Sequence, residues 1–286
     1  MDAIAFRPRV LRDTSKVDST STFMGRPVRL PVMLAPVGSV ESFTPGGGAT
    51  SAKASGAFGV PHMLSSACNP GLEATAAAAD NYRVFQLYVR GDDAFVDDHV
   101  KRARDNGYTI FCMTVDSAHY SRRERDLDKR FIKPWRQAAR GMEWQAALSW
   151  DQVKRFKDTH DIPLILKGIA TAEDHGLGSL EVLPEVVRAV SGRAVVMVDG
   201  GFLRGTDVVK AIALGAQCVG LGRLQCMGLA AAGQAGLERA LEILEEEIKI
   251  CLGLLGVTSY SQLDASYLRE ARLVTEASAL SAFPLL

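Results

Sequence analysis

The chain has 286 residues, 47% of them hydrophobic and 23% charged, the mix of a globular protein long enough to bury a core without disulfide staples. Lys and Arg number 33 against 33 Asp and Glu, so the basic excess that marks nucleic-acid and membrane-surface proteins is missing. No apolar run reaches the ~18 residues that span a bilayer, and residues 1–12 lack the charged-then-apolar pattern of a signal peptide.

The five cysteines, Cys68, Cys112, Cys218, Cys226 and Cys251, are odd in number and never spaced Cys-x-x-Cys. That fits reduced thiols and a cytoplasmic location, and points to no metal site.

In chain order, short apolar runs predict strands at 32–37, 62–66, 84–89, 109–115, 164–167, 194–198 and 218–221. Helical spacing predicts helices at 46–58, 93–106, 180–190 and 206–214, and a long closing helix at 229–255. Apolar strands without alternation are covered on both faces, as in a parallel sheet. The alternation of strand and helix indicates an α/β fold, a TIM (β/α)8-type barrel or a doubly wound sheet. No Gly-x-Gly-x-x-Gly follows the first strand, which disfavours the dinucleotide-binding fold. Polar residues instead gather at the C-terminal ends of many strands: Ser65, Gln86, Tyr88, Thr114, Asp116, Lys167, Asp199 and Arg223, with Pro36 after the first. Barrel enzymes place their chemistry there. The expected organisation is a single domain over 1–286, with a charged, Trp-containing, lid-like insertion at about 120–149. Seven strands are counted where a closed barrel has eight, so the barrel is expected to be short by one βα unit.

Five ordered motifs carry a resemblance. They are Phe6-Arg7-Pro8-Arg9-Val10-Leu11 with Asp13 and Ser15-Lys16-Val17-Asp18; Val84-Phe85-Gln86-Leu87-Tyr88-Val89; and Thr114-Val115-Asp116 with Ser121-Arg122-Arg123-Glu124. Leu166-Lys167-Gly168 with Thr171-Ala172-Glu173-Asp174 is the fourth. Val198-Asp199-Gly200-Gly201 with Arg204-Gly205-Thr206-Asp207 and Gly220-Leu221-Gly222-Arg223 completes the set. Together they resemble the FMN-dependent α-hydroxy acid oxidase and dehydrogenase family, which includes glycolate oxidase, lactate oxidase and lactate 2-monooxygenase.

The resemblance implies FMN as cofactor at the C-terminal mouth of a β/α barrel, in a flavoprotein oxidoreductase. Pro36, Val37 and Gly38 would lie along the flavin ring; Ser65, Gln86 and Thr114 would bond its polar edge. Lys167 would face N1 and the C2 carbonyl, where a fixed positive charge stabilises anionic reduced flavin. Asp199, Gly200, Gly201, Gly222 and Arg223 would hold the ribityl chain and phosphate, Arg223 by charge-assisted bonds. Tyr88 and Arg123 match the family's contacts to the substrate carboxylate, which a guanidinium fork pairs two-pronged. Asp116 matches the carboxylate that orients the catalytic histidine. By family the chain would be a homo-oligomer, a tetramer or octamer.

The family's catalytic run Ser-Asn-His-Gly-Gly-Arg-Gln-Leu-Asp is absent. The chain passes directly from Thr171-Ala172-Glu173-Asp174 to His175-Gly176-Leu177-Gly178-Ser179. Either His175 stands in for the catalytic base, or it belongs to the segment after that run and about one strand-helix unit is missing. The second alignment accounts for more residues. Leu203 also replaces an arginine common after the Asp-Gly-Gly turn. Three functional readings follow: oxidation of a small (S)-2-hydroxy acid, a flavin-binding homologue impaired in catalysis, or a phosphate-binding barrel of other activity.

Overall fold

The computed structural model describes residues 1, 3–118, 128–130, 140–169 and 177–271. Its contacts divide the chain into two compact units. The first comprises Met1–Ala35, Ala54–Pro61 and Ala170–Leu286; the second comprises Pro36–Lys53 and His62–Ile169.

The first unit opens with β1 (Ile4–Phe6) and the hairpin β2 (Ser21–Phe23) and β3 (Arg26–Val28), then β4 (Val32–Leu34). Helix α1 (Gly47–Phe58) spans the boundary between the units. The second unit holds β5 (His62–Ser65), α2 (Leu72–Ala78), β6 (Arg83–Leu87), α3 (Asp93–Asp105) and β7 (Ile110–Thr114). It continues with α4 (Met142–Ala146), α5 (Trp150–Thr159) and β8 (Leu164–Lys167). The first unit resumes with α6 (Ser179–Val190), β9 (Met197–Asp199), α7 (Gly205–Ala213), β10 (Cys218–Leu221), α8 (Arg223–Leu255) and β11 (Leu268–Glu270).

In the second unit four parallel strands lie in the order β5-β6-β7-β8. Their helices are anchored by local chemistry. Asp92 caps α3 by accepting from Phe95 N–H at 3.1 Å, and Ser149 with Gln152 forms a capping box on α5. Phe85, Phe111, Tyr108 and Phe156 pack into one aromatic cluster, with Phe111–Phe156 centroids 5.4 Å apart. In the first unit three parallel strands run β4-β10-β9. Val32, Leu34, Val219 and Leu221 are fully enclosed there, as apolar strands covered on both faces must be.

Seven parallel strands therefore occur among the described residues, at the places the apolar runs predict, with three adjustments. The strand expected at 194–198 is Met197–Asp199. The closing helix begins at Arg223 and breaks at Ala232–Gly233, whose dihedrals are non-helical. Small antiparallel pairs, β1–β11 and β2–β3, accompany the parallel strands. Of the lid-like insertion, 119–127 and 131–139 lie outside the described residues.

Candidate active site

The C-terminal ends of the second unit's strands converge. In register, Ser65 faces Gln86 and Thr114 faces Lys167. The Gln86 amide donates from Nε2 to Thr114 Oγ1 at 2.8 Å, crossing from β6 to β7. Ser65, Gln86 and Thr114 are buried, whereas Lys167 is half-buried. Gln86 Oε1 has no hydrogen-bond partner among the described residues. Such an enclosed acceptor costs about 1–3 kcal/mol unless a donor completes it.

The loop after β4 carries Pro36, Val37 and Gly38. It is held beside β5 by Ser39 N–H donating to Ala67 O at 2.9 Å. A Cβ on Gly38 would meet Ala67 Cβ at 3.4 Å, so that glycine sits against the turn that follows Ser65. Tyr88, one residue past β6, donates its N–H to Ser66 Oγ at 3.0 Å. Asp116 lies two residues past β7, exposed, its Oδ1 accepting from Ser117 Oγ at 3.2 Å. Its carboxylate rests on Gly168, where φ is +99° and an added Cβ would fall 2.4 Å from Asp116 Cγ. Gly168, quoted in the Leu166-Lys167-Gly168 motif without a role of its own, is a positioning element; a glycine directly after a strand-end lysine is its signal.

Arg123 and His175 lie outside the described residues. So does His119. The three remaining histidines are committed away from the strand ends. His62 starts β5, at the end opposite Ser65, and burial holds its imidazole down to about 4. His99 donates from Nδ1 to Phe95 O at 2.8 Å within α3. His160 follows α5 and its Nε2 meets Asp97 Oδ1 at 2.8 Å.

The first unit supplies the other predicted residues. Asp199 ends β9, and Gly200 and Gly201 follow with φ of +112° and +87°, a left-handed turn that glycine adopts without strain. Ser179 donates from Oγ to Asp199 O at 2.5 Å, and a Cβ on Gly200 would come within 2.8 Å of that hydroxyl. Sequence reasoning missed Ser179, which lies beyond the span of any local motif. A Cβ on Gly201 would reach Arg223 Nη2 at 3.0 Å, so the guanidinium lies over the Gly-Gly turn. Gly222 has open space where a side chain would be, just before α8. A glycine turn without side chains beside one guanidinium is chemistry suited to an anion. Leu203 is buried, and its N–H donates to Asp207 Oδ2 at 3.2 Å, which makes it part of the α7 cap.

Comparison with known proteins places this geometry. The family model described as FMN-dependent dehydrogenase matches residues 1–177 and 174–270. Glycolate oxidase 1 of Zea mays is 35% identical over 326 aligned residues, covering 98% of this chain and 87% of the relative. An L-lactate oxidase of Nostoc is 31% identical, covering 93% and 87%. Among solved structures, a soluble mutant of the membrane-associated (S)-mandelate dehydrogenase of Pseudomonas putida superposes with a TM-score of 0.86 at 30% identity, covering 94% and 88%. The maize alignment is longer than the 286-residue chain, so the relative carries at least 40 positions with no counterpart here. The two matches of the family model meet at 174–177, where the sequence lacks the catalytic run. The fold is a TIM (β/α)8-type barrel short of eight units, and the family's members are FMN-dependent hydroxy acid oxidoreductases. The chain belongs to the FMN-dependent dehydrogenase family.

Proposed function

We propose that the chain binds FMN and oxidises a small (S)-2-hydroxy acid, of the lactate, glycolate or mandelate type, to its 2-oxo acid. The observation that carries this reading is the enclosed Gln86 Oε1 without a donor, set between Ser65 and Thr114 and followed by Lys167. An N–H on the flavin's polar edge would satisfy that acceptor, so the residues fit the group. Bound FMN supplies a hydride acceptor.

The chain's own residues have distinct tasks. Ser65, Gln86 and Thr114 orient the ring edge, and Pro36, Val37 and Gly38 cover it. Lys167 provides positive charge where negative charge builds up. Asp199, Gly200, Gly201, Gly222 and Arg223 hold the ribityl chain and phosphate. Tyr88 and Arg123 hold the substrate carboxylate. Asp116 and His175 are the groups proposed for proton handling. We assign the chain to the cytoplasm, in line with its cysteine pattern, as a homo-oligomer, in line with its family resemblance.

A second reading is a homologue that keeps flavin and is impaired in catalysis. Its support is the junction of the family matches at 174–177, where the catalytic histidine and arginine have no counterpart. One experiment separates the two. Purified protein is loaded with FMN, made anaerobic and offered (S)-lactate, glycolate or (S)-mandelate. Loss of the visible flavin band supports the oxidoreductase; flavin that stays oxidised with every acid supports the impaired homologue. Protein that never takes up FMN ends both.

A further inference from the structure

We infer that Arg90 is a further substrate-binding residue, whose guanidinium, beside the Tyr88 ring, takes the carboxylate of the 2-hydroxy acid. The inference rests on the reading above, in which Tyr88 holds that carboxylate. Arg90 stands three residues past the end of β6, its Cζ 5.9 Å from the centroid of the Tyr88 ring. Val89, between the two, turns the opposite way. It is buried and shares a cavity with Val96 of α3, Met113 of β7 and Phe156 of α5. Successive side chains of a strand alternate between its faces, and here the alternation continues past the strand's end. Gln86, Tyr88 and Arg90 thus form one file, on the side where Gln86 meets Thr114.

The backbone under this file is fixed. Tyr88 N–H donates to Ser66 Oγ at 3.0 Å. Gly141, with φ of +74°, lies so close against the Arg90 carbonyl that a Cβ would not fit there. The residue is half-buried, and its Nε and Nη2 are enclosed. A cation taken out of water is stabilised by an anion, and a guanidinium beside an aromatic ring keeps its fork of N–H groups for a carboxylate. The other arginine of the same strand is engaged elsewhere. Arg83, at the opposite end of β6, donates to Ala76 O at 3.1 Å and to Ala79 O. Arg102 and Arg155 pair with Glu73 and Asp97 on the helices. Lys167 serves the flavin in the proposed site, whereas Arg90 adjoins the residue that serves the acid.

The test titrates the FMN-loaded full chain with pyruvate, glyoxylate and benzoylformate, each read from its perturbation of the flavin spectrum. FMN affinity is measured alongside. Arg90→Met is expected to weaken the acids by about 30-fold while FMN affinity stays within about threefold of the parent. Arg90→Lys keeps the charge and loses the fork, and is expected to weaken the acids by only about fivefold. A methionine variant that binds the acids within about threefold of the parent overturns the assignment, as does a parallel loss of acid and FMN affinity in both variants. If the methionine variant does not fold, the lysine variant decides: a loss confined to the acids supports the assignment, and unchanged acid affinity overturns it. A parent that binds the acids through Arg90, yet whose flavin no 2-hydroxy acid reduces, overturns the oxidoreductase reading and keeps this assignment. A parent that holds FMN and binds none of the three acids overturns the assignment.

Discussion

Gln86 on β6 gives its amide hydrogen to the Thr114 hydroxyl on β7 at 2.8 Å, and the other half of the same amide is left enclosed without a donor. In the proposed site that second half faces the flavin's polar edge. Gln86→Leu removes both the donor and the orphaned acceptor, so their effects on the free protein nearly cancel. We expect FMN affinity to fall by about tenfold while the apo melting temperature moves by less than about 2 °C. Equal FMN binding in the variant, measured by fluorescence quenching, excludes Gln86 from the ring edge.

Gly168 holds Asp116 in place by having no side chain. Gly168→Ala puts a methyl into the carboxylate and imposes a disfavoured φ, a combined cost of about 2 kcal/mol or more. Gly59→Ala is the control. Its φ is +89°, but its nearest neighbour, Arg29 Cβ, lies at an ordinary 3.6 Å. Both variants should melt at lower temperature, and only Gly168→Ala should slow flavin reduction. If both slow it equally, the contact with Asp116 is immaterial.

Arg223 lies over the Gly200–Gly201 turn, and its partner in the proposed site is an anion rather than a ring. Arg223→Ala should therefore weaken FMN by about 10-fold to 100-fold and leave riboflavin, which lacks the phosphate, almost unchanged. Parallel titrations with the two flavins decide it. Equal losses for both would place the guanidinium elsewhere.

His62 gives the fold a pH dependence. Burial holds its imidazole down to about 4, while an unfolded chain binds the proton near the ordinary value of ~6.5. The unfolded state thus takes up more protons between those values, and acid favours it. The stabilisation is complete above pH ~6.5 and is lost as pH falls toward about 4, a swing of roughly 3 kcal/mol. His62→Leu should flatten the melting temperature across this interval. An unchanged acid decline in the variant would assign the effect to other groups.

The parallel core was readable because each strand is an apolar run flanked by turn residues. Leu164–Lys167 and Cys218–Leu221 fall where their composition predicts. The three-residue strands β1 and β11 were not readable. They pair Ile4 with Glu270, partners far apart in sequence and too short to show a period. The start of α8 was obscured by Gly228 and Gly233, which interrupt helical patterning. Strand-end chemistry was legible residue by residue, since Ser65, Gln86, Thr114 and Lys167 are all brought to one end of their sheet. Contacts such as Asp116 on Gly168, or Ser179 on Asp199, depend on how separate segments fold back, and no local spacing encodes them.

The break at Ala232–Gly233 turns α8 back on itself, with Gly228 and Gly236 in such close contact that a Cβ on either would strike the opposite backbone. One stretch of chain therefore serves two distant tasks. Its leading arm presents Arg223 above Gly201. Its trailing arm sends Glu247 to Arg204 at 2.8 Å and to the Gly205 N–H at 2.7 Å, mooring the segment that leads out of the same glycine turn. If the proposed site holds a phosphate there, its grip would be tied to the fit between two helical arms, and a methyl group added at that elbow would loosen it from a distance.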